Sequence, residues 1–251
     1  MVYLEKGYIG NFDAKTPEEL KAYLLDGIKQ LNGRTIIAPI DGDTWHNYRL
    51  VSWDSGFPQF PLEPNNPIWY NDIYKEVGFK ALAKYYSVSF PIRNIQKIEC
   101  SKDVVYKNFE PADLKTIHEL SVKGFSNNFL YDEISYEEFS KLYEPLMAML
   151  DSDFVLIAYV NNLPCGFMFA IGVGDIFILK SITVLPEYQK LKIGSTLVNK
   201  VLLKAHEKGF TTAIGALIID DNISGNIVAK YGAKKIREYT LYEHSGTTKA
   251  Q

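Results

Sequence analysis

The sequence has 251 residues, a formal net charge of −3, and 47% hydrophobic and 23% charged residues, which is ordinary for a soluble globular protein of one large or two small domains. This mildly acidic balance, with lysines and arginines spread along the chain, argues against a nucleic-acid binder, which needs a concentrated basic face. The chain has no signal-peptide pattern and no apolar stretch of roughly 20 residues, and its two cysteines, Cys100 and Cys165, are far apart, so we expect a reduced, cytoplasmic protein without membrane contact or metal.

The first hundred residues predict two helices and two clear strands. A helix over 16–32 begins with Thr16 as cap and Pro17 in the first turn, and an apolar strand follows over 34–40. A second helix over 66–77 is closed by Gly78, and a tyrosine-rich strand follows over 80–90. The residues before the first helix, 4–13, offer one strand at most.

The connection over 41–65 is long and aromatic. Its Asp41-Gly-Asp43 segment favours a plain turn over a metal loop, because it lacks the ligand pattern of a calcium-binding hand. The aromatic residues in and after this connection favour a core or a domain seam, and a substrate pocket is the alternative. They are Trp45, Trp53, Phe57, Phe60, Trp69 and Tyr70.

The second half predicts a longer series of elements. A strand over 104–109 is followed by helices over 111–123 and 136–150, the second opened by a Ser135/Glu138 capping box. Three strands then follow over 154–160, 165–171 and 176–184, joined by tight turns that make them antiparallel. After a loop come a helix over 195–208, a strand over 211–219, a helix over 222–230 and a strand over 235–242. Strands joined through helices can be parallel, so the product is a mixed α/β sheet.

The loop after the 176–184 strand carries the most informative pattern. A strand end, a tight loop and a helix N-terminus turn several backbone N–H groups toward one point, where they and the helix dipole favour an anion such as a pyrophosphate. This stretch resembles the signature of the GNAT (N-acetyltransferase) superfamily. The matching residues are Val184, Pro186, Glu187, Tyr188, Gln189 and Gly194.

The resemblance implies a GNAT-like mixed sheet flanked by helices, with acetyl-CoA as co-substrate. The backbone of residues 182–184 would face the pantetheine arm and the acyl carbonyl, and the backbone of residues 189–195 would hold the pyrophosphate. Asn222 and Ser224 would cap the next helix or touch the pantetheine. These expected cofactor-binding residues are Ile182, Thr183, Val184, Gln189, Lys190, Leu191, Lys192, Ile193, Gly194, Ser195, Asn222 and Ser224.

One residue of the loop departs from the family. Lys192 stands where the family has its first glycine. If it needs a positive φ, it is strained. In an ordinary conformation, its ammonium would instead help to neutralise a phosphate of CoA.

The catalytic residues are not identified by the resemblance. The tyrosine that protonates the thiolate in many relatives falls at Val228, and Tyr231, three positions on, favours packing because it points elsewhere on a helix. Tyr231 and Ser181 are therefore weak catalytic candidates. The chain shows no evident general base, and His118 favours a structural role.

The order helix, Gly, strand, helix, Gly, strand occurs in both halves of the chain. Residues 1–95 therefore resemble the C-terminal half of a GNAT fold, without a CoA site, and residues 100–245 resemble a complete GNAT domain. The favoured function is acetyl transfer to a primary amine of a small molecule or peptide. The alternative is a degenerate GNAT protein that binds acyl-CoA or a protein partner without catalysis. A homodimer stays open.

Overall fold

The computed structural model describes residues 1–98, 101–147, 150–220 and 223–246. The chain forms two compact units, each built from segments that are separate in the sequence. Unit one consists of Met1–Ser87, Leu217–Asp221 and Lys235–Gln251, and unit two consists of Val88–Ala216 and Asn222–Lys234. The sequence predicted two domains, residues 1–95 and 100–245, from the end of the first copy of the repeat. This domain boundary stays a prediction.

The elements follow one another in this order: β1 (Val2–Tyr3), β2 (Tyr8–Ile9), α1 (Pro17–Leu31), β3 (Ile36–Ala38), β4 (Leu50–Asp54), α2 (Tyr70–Glu76), β5 (Lys80–Pro91), β6 (Val104–Asn108), α3 (Leu114–Phe125), α4 (Tyr136–Met147), β7 (Val155–Val160), β8 (Leu163–Val173), β9 (Ile176–Val184), α5 (Ile193–Glu207), β10 (Thr212–Ile219), α6 (Ile223–Ala229) and β11 (Lys234–His244). Short 3-10 turns precede α3, β7 and α5.

The strands of unit one bring the first and the last strands of the chain into one sheet. β1 pairs antiparallel with β2, β2 runs parallel to β3, and the last strand, β11, pairs antiparallel with both β3 and β4. Two strands therefore precede α1, where the sequence predicted one at most; each has only two residues, which is too short for a visible alternation. β4 lies within the connection that the sequence predicted as a loop. Its pairing partner, β11, is far away in the sequence, so no local pattern predicts this strand.

The core of unit one forms between α1, α2 and these strands. Leu20, Leu24 and Ile28 of α1 recur at intervals of four residues and are all buried. Thr16 caps α1 by accepting the N–H of Glu19 at 3.2 Å, as its sequence predicted. The aromatic residues of the predicted connection divide between core and surface: Phe60 and Tyr70 are buried and Trp53 is 44% exposed.

Unit two holds the mixed sheet that the sequence predicted. Its strands lie in the order β10-β9-β8-β7-β6, with residues 88–91 of β5 next to β10. β6, β7, β8 and β9 are antiparallel neighbours, and β10 is parallel to β9. β7, β8 and β9 are joined by tight turns and the parallel pair β9–β10 is joined through α5, so this part of the prediction is confirmed. β6 reaches its antiparallel neighbour β7 through α3 and α4.

Helices cover both faces of this sheet, and Gly124 lets one of them, α3, approach β9 closely. A Cβ on Gly124 of α3 would lie 2.0 Å from Oγ1 of Thr183, whereas a Cβ on Gly194 of α5 would lie 3.7 Å from the side chain of Val184. Successive strand residues point to opposite faces, so α3 and α5 lie on opposite sides of the sheet. Among the described residues, none of the helices combines the length and the apolar character of a membrane span.

Candidate functional site

The edge of β9 that faces β10 becomes free toward its C-terminal end. The two strands are paired from Thr212–Ile176 to Gly215–Leu179, and residues 180–184 of β9 lie beyond this last pair. On its other side, β9 stays paired with β8 as far as Val184. The strand therefore ends with one bonded edge and one edge that diverges from its parallel neighbour.

The hydrogen-bond pattern fixes the direction of the backbone groups at this end. The N–H of Leu185 donates to the carbonyl of Cys165 at 2.9 Å, and Val184 lies opposite Gly166. In an antiparallel ladder this spacing makes Val184–Gly166 a non-hydrogen-bonded pair, whose backbone groups point away from the partner strand. The N–H of Val184 therefore points into the gap beside β9, and so does that of Ile182, two residues earlier.

The loop after β9 is a 3-10 turn, Pro186–Leu191, that ends in a left-handed residue. Lys192 has φ 58° and ψ 20°, so the position where relatives carry glycine does have the backbone conformation that favours glycine. Its side chain is exposed rather than folded into the loop. The amide of Gln189 donates to the Val184 carbonyl at 3.4 Å and so ties the loop to the strand end.

The N-terminus of α5 offers unused backbone donors. The first intrahelical bond runs from the N–H of Thr196 to the carbonyl of Lys192 at 3.1 Å, so the amides of Ile193, Gly194 and Ser195 precede the helix ladder. No side chain caps this end and the first turn has no acid. The exposed ammonium groups of Lys190 and Lys192 flank it, which suits an anion.

Gly194 lies against the strand end and the helix that follows β10. A Cβ at this position would meet side-chain atoms of Ile182, Val184 and Ile227 at 3.6–3.8 Å, which is ordinary contact distance. The fold itself therefore tolerates a methyl group at Gly194. Asn222 lies outside the described residues, and so does the side chain of Ser224, although its backbone belongs to α6.

A β-bulge on β9 sets one cation apart from the strand ladder. Phe169 pairs with Ser181 and Ala170 with Leu179, which leaves Lys180 as the extra residue. Its ammonium donates to the hydroxyl of Tyr143 at 3.2 Å and lies over the Tyr143 and Phe169 rings at 4.8 and 5.7 Å. Ser181, a weak catalytic candidate, is half-buried beside it. A register shift of this kind has no signature in the sequence.

The tyrosines considered as acids pack against other side chains. Val228, at the family's tyrosine position, is buried, and Tyr231 stacks on Phe90 with ring centroids 5.3 Å apart. Burial raises the pKa of Tyr231, and a hydrogen bond with Asn199 acts in the opposite direction. In unit one, Tyr74, which matches the family tyrosine in the first copy, is fully buried and its pKa is raised well above the usual value by burial.

The buried thiol beside the end of β9 is not a nucleophile. Cys165 is buried and its Sγ donates to the Ala158 carbonyl at 3.3 Å. Burial, and secondarily the charge of Glu187, raise its pKa to about 11, so it stays a neutral thiol near pH 7.

The acetyltransferase (GNAT) family model matches residues 115–231 of this chain. None of the curated proteins matches it.

Solved structures with the same fold are distant in sequence. A GCN5-related N-acetyltransferase from Sphaerobacter thermophilus matches with a TM-score of 0.63 at 10% identity. The matched region covers 89% of this chain and 64% of that protein's chain. The glucosamine N-acetyltransferase region of a fungal multi-domain β-N-acetylglucosaminidase has a TM-score of 0.57 at 11% identity, with coverages of 88% and 26%. This chain thus spans less than two thirds of either protein.

A tandem GNAT protein from the clavulanic acid biosynthesis pathway has a TM-score of 0.58 at 9% identity, and covers 92% of this chain and 70% of its own. At these identities, the likenesses show the fold alone. With the family match they confirm the predicted fold: residues 115–231 match the acetyltransferase (GNAT) family model, and the chain has a GNAT-like mixed α/β fold.

Proposed function

We propose that this protein transfers an acyl group, in the simplest case acetyl, from acetyl-CoA to a primary amine of a small molecule or peptide. One observation carries the proposal: the N–H of Val184 points into the gap beside β9, and the open amides of α5 follow nine residues later, from residue 193. A thioester carbonyl and a diphosphate are the two groups of acyl-CoA that such donors suit.

The loop supplies the binding chemistry in this proposal. The amides of residues 193–195, the helix dipole and the ammonium groups of Lys190 and Lys192 hold the diphosphate. The N–H of Val184 donates to the carbonyl oxygen as negative charge develops on it. A preorganised donor of this kind contributes about 2.7–4 kcal/mol to the lowering of the barrier in well-studied acyl transfer.

The proposed reaction is a single acyl transfer. The amine nitrogen forms a bond to the carbonyl carbon, the carbon–sulfur bond breaks, and the amine proton leaves to solvent while the thiolate of CoA accepts one. Neither Tyr231 nor Cys165 takes part: the first packs on Phe90, and the second is a buried neutral thiol. We also propose that the protein acts in the cytoplasm, a reducing compartment that supplies acyl-CoA. Nucleic acid is not an acceptor in the proposed reaction.

Isothermal titration with acetyl-CoA and with CoA tests the binding site. We expect both to bind the wild-type protein and neither to bind Gly194→Leu, whose side chain would fill the approach to the α5 amides. His206→Leu, at the exposed opposite end of the same helix, is the matched control and should bind as the wild type does. Absence of detectable binding to the folded wild-type protein would end the proposal.

A turnover assay separates catalysis from binding alone. Release of CoA thiol is followed with acetyl-CoA and a panel of primary amines and short peptides, and the acylated product is identified by mass spectrometry. Transfer that is lost in Gly194→Leu and kept in His206→Leu supports an enzyme. Tight acetyl-CoA binding without transfer to any amine of the panel would favour the non-catalytic alternative.

A further inference from the structure

Three consecutive residues of β9 open the strand to solvent next to the gap. The strand is buried from Phe177 to Leu179, whereas residues 180–182 are all half-exposed. The exposure begins where the pairing with β10 ends, at Leu179. Solvent therefore reaches the strand at this point, beside the N–H of Ile182 that points into the gap.

Lys180 is the first of these open residues, and its ammonium lies on the face of the sheet that α4 covers. The ammonium donates to the hydroxyl of Tyr143 at 3.2 Å and lies over the rings of Tyr143 and Phe169. Tyr143 is buried, so it holds the ammonium at a fixed place beside the opening. All these partners are neutral, and an ammonium has three donors.

Lys180 has no acidic partner in the part of the chain that the structure describes. Lys208 of the same unit shows the contrast: it also lies over a ring, that of Phe154 at 5.0 Å, but it forms ion pairs with Asp151 and Asp153. Lys180 is the less exposed of the two lysines and yet lacks such a pair. A half-buried cation is costly without a counter-charge, so its place favours an anionic group from outside the chain.

We propose that Lys180 binds a carboxylate of the acceptor, so that the amine acylated by this protein belongs to a molecule that also carries a carboxylate. This inference rests on the acyltransferase function proposed above and names the class of its acceptor. The carboxylate would accept from the donors of the ammonium that Tyr143 leaves free, and a charge-assisted bond of this kind is stronger than a neutral one.

The position of Lys180 along β9 limits the shape of the acceptor. Strand residues are about 3.3 Å apart, so Lys180 lies about 7 Å from Ile182 and about 13 Å from Val184 along the strand. The amine must reach the acyl carbonyl beside these two N–H groups while the carboxylate stays at the ammonium. An acceptor whose amine and carboxylate are several bonds apart fits this span, and glycine is too short.

The test compares acceptors that differ in charge. Release of CoA from acetyl-CoA is followed with ε-aminocaproate, with its amide and with hexylamine, and the binding of each to the protein–CoA complex is measured by isothermal titration. We expect ε-aminocaproate to be preferred about tenfold or more over the other two, in kcat/KM and in affinity.

A matched peptide pair, Gly-Gly-Asp amide and Gly-Gly-Asn amide, identifies the source of the carboxylate. A preference for ε-aminocaproate alone indicates a free amino acid. A preference for the acidic peptide as well indicates an acidic peptide acceptor.

Three variants connect the preference with the side chain. Lys180→Gln should reduce the preference to within about twofold, and Lys180→Arg, which keeps the charge, should retain most of it. Lys141→Gln is the matched control: it removes an exposed lysine of α4 that pairs with Glu137, and it should keep the wild-type preference. If Lys180→Gln does not fold, the preference of the wild-type protein for the carboxylate over its amide still decides.

The two proposals fail in different ways. Absence of acetyl-CoA binding would end the acyltransferase proposal, and this inference with it. Acyl transfer that treats the carboxylate and its amide alike, or a preference that persists unchanged in Lys180→Gln, would overturn the role of Lys180 and leave the acyltransferase proposal intact.

Discussion

Replacing Lys192 by glycine should stabilise the fold while it removes a charge from the loop. A left-handed conformation costs a residue with a side chain about 1–2 kcal/mol. Glycine avoids this cost, but its greater freedom in the unfolded chain lowers the free energy of unfolding by about 0.5–1 kcal/mol. Lys192 has φ 58° and an exposed side chain, so little packing is lost, and we expect about 0.5–1 kcal/mol of added stability. For a chain of this size, this raises Tm by about 1–4 °C.

The second consequence concerns CoA. Loss of one exposed ammonium next to a phosphate should weaken binding by about two- to fivefold at low salt. Lys192→Ala loses the same charge but keeps the strained backbone, so the two variants should bind CoA equally and differ in stability.

Urea denaturation and isothermal titration give both numbers. Lys190→Gly is the matched control, because it loses a charge at a position without positive φ and should be destabilised. If Lys192→Gly is no more stable than Lys192→Ala, the strain at this position is refuted.

Three further predictions follow from the packing. Gly124→Ala should lose about 1–3 kcal/mol in urea denaturation, because its Cβ would overlap β9, whereas Gly194→Ala should be neutral or slightly stabilising; equal effects would contradict the close approach. Arg237→Met should lose about 3–5 kcal/mol, because it leaves the fully buried carboxylate of Glu63 without its cation; a loss under about 1 kcal/mol would show that the pair is not buried. Burial lowers the pKa of His244 from 6.5, so the folded state prefers the neutral ring, and the free energy of unfolding should fall as the pH drops below 6.5. An NMR titration midpoint at or above 6.5, or an unchanged pH dependence in His244→Gln, would contradict this.

The parts of the fold that the sequence predicted well are governed by local chemistry. The start of α1 is set by Thr16 and Pro17, and the hairpins of unit two by turn residues such as Asn161 and Asn162, both of which have positive φ. The β9–α5 loop was found because a strand end, a tight turn and a helix start lie within a few residues. At Lys192, the open question of its conformation is answered by the structure in favour of the left-handed region.

The parts that the sequence missed depend on distant partners. β4 exists because Val51 and Trp53 pair with Tyr239 and Glu238 of β11, and nothing near β4 announces that pairing. The bulge that sets apart Lys180 depends on the register between two strands. Arg49, in the connection before β4, looks like any arginine of a loop in the sequence, and its burial against the rings of Tyr48 and Tyr85 is visible only in three dimensions.

In each half of the chain one helix joins two parallel strands: α1 joins β2 to β3, and α5 joins β9 to β10. The N-termini of these two helices differ in charge and in the use of their backbone donors. At α1, Thr16 accepts an amide hydrogen of the first turn, Pro17 has none to give, and the carboxylate of Glu19 accepts the N–H of Lys15 at 2.7 Å. A diphosphate arriving there would meet donors already used and the negative charges of the first turn. α5 begins with no side-chain cap, no acid and two lysines in the preceding loop. The difference lies in side chains rather than in backbone, and it supports the expectation that acyl-CoA binds at the second copy alone.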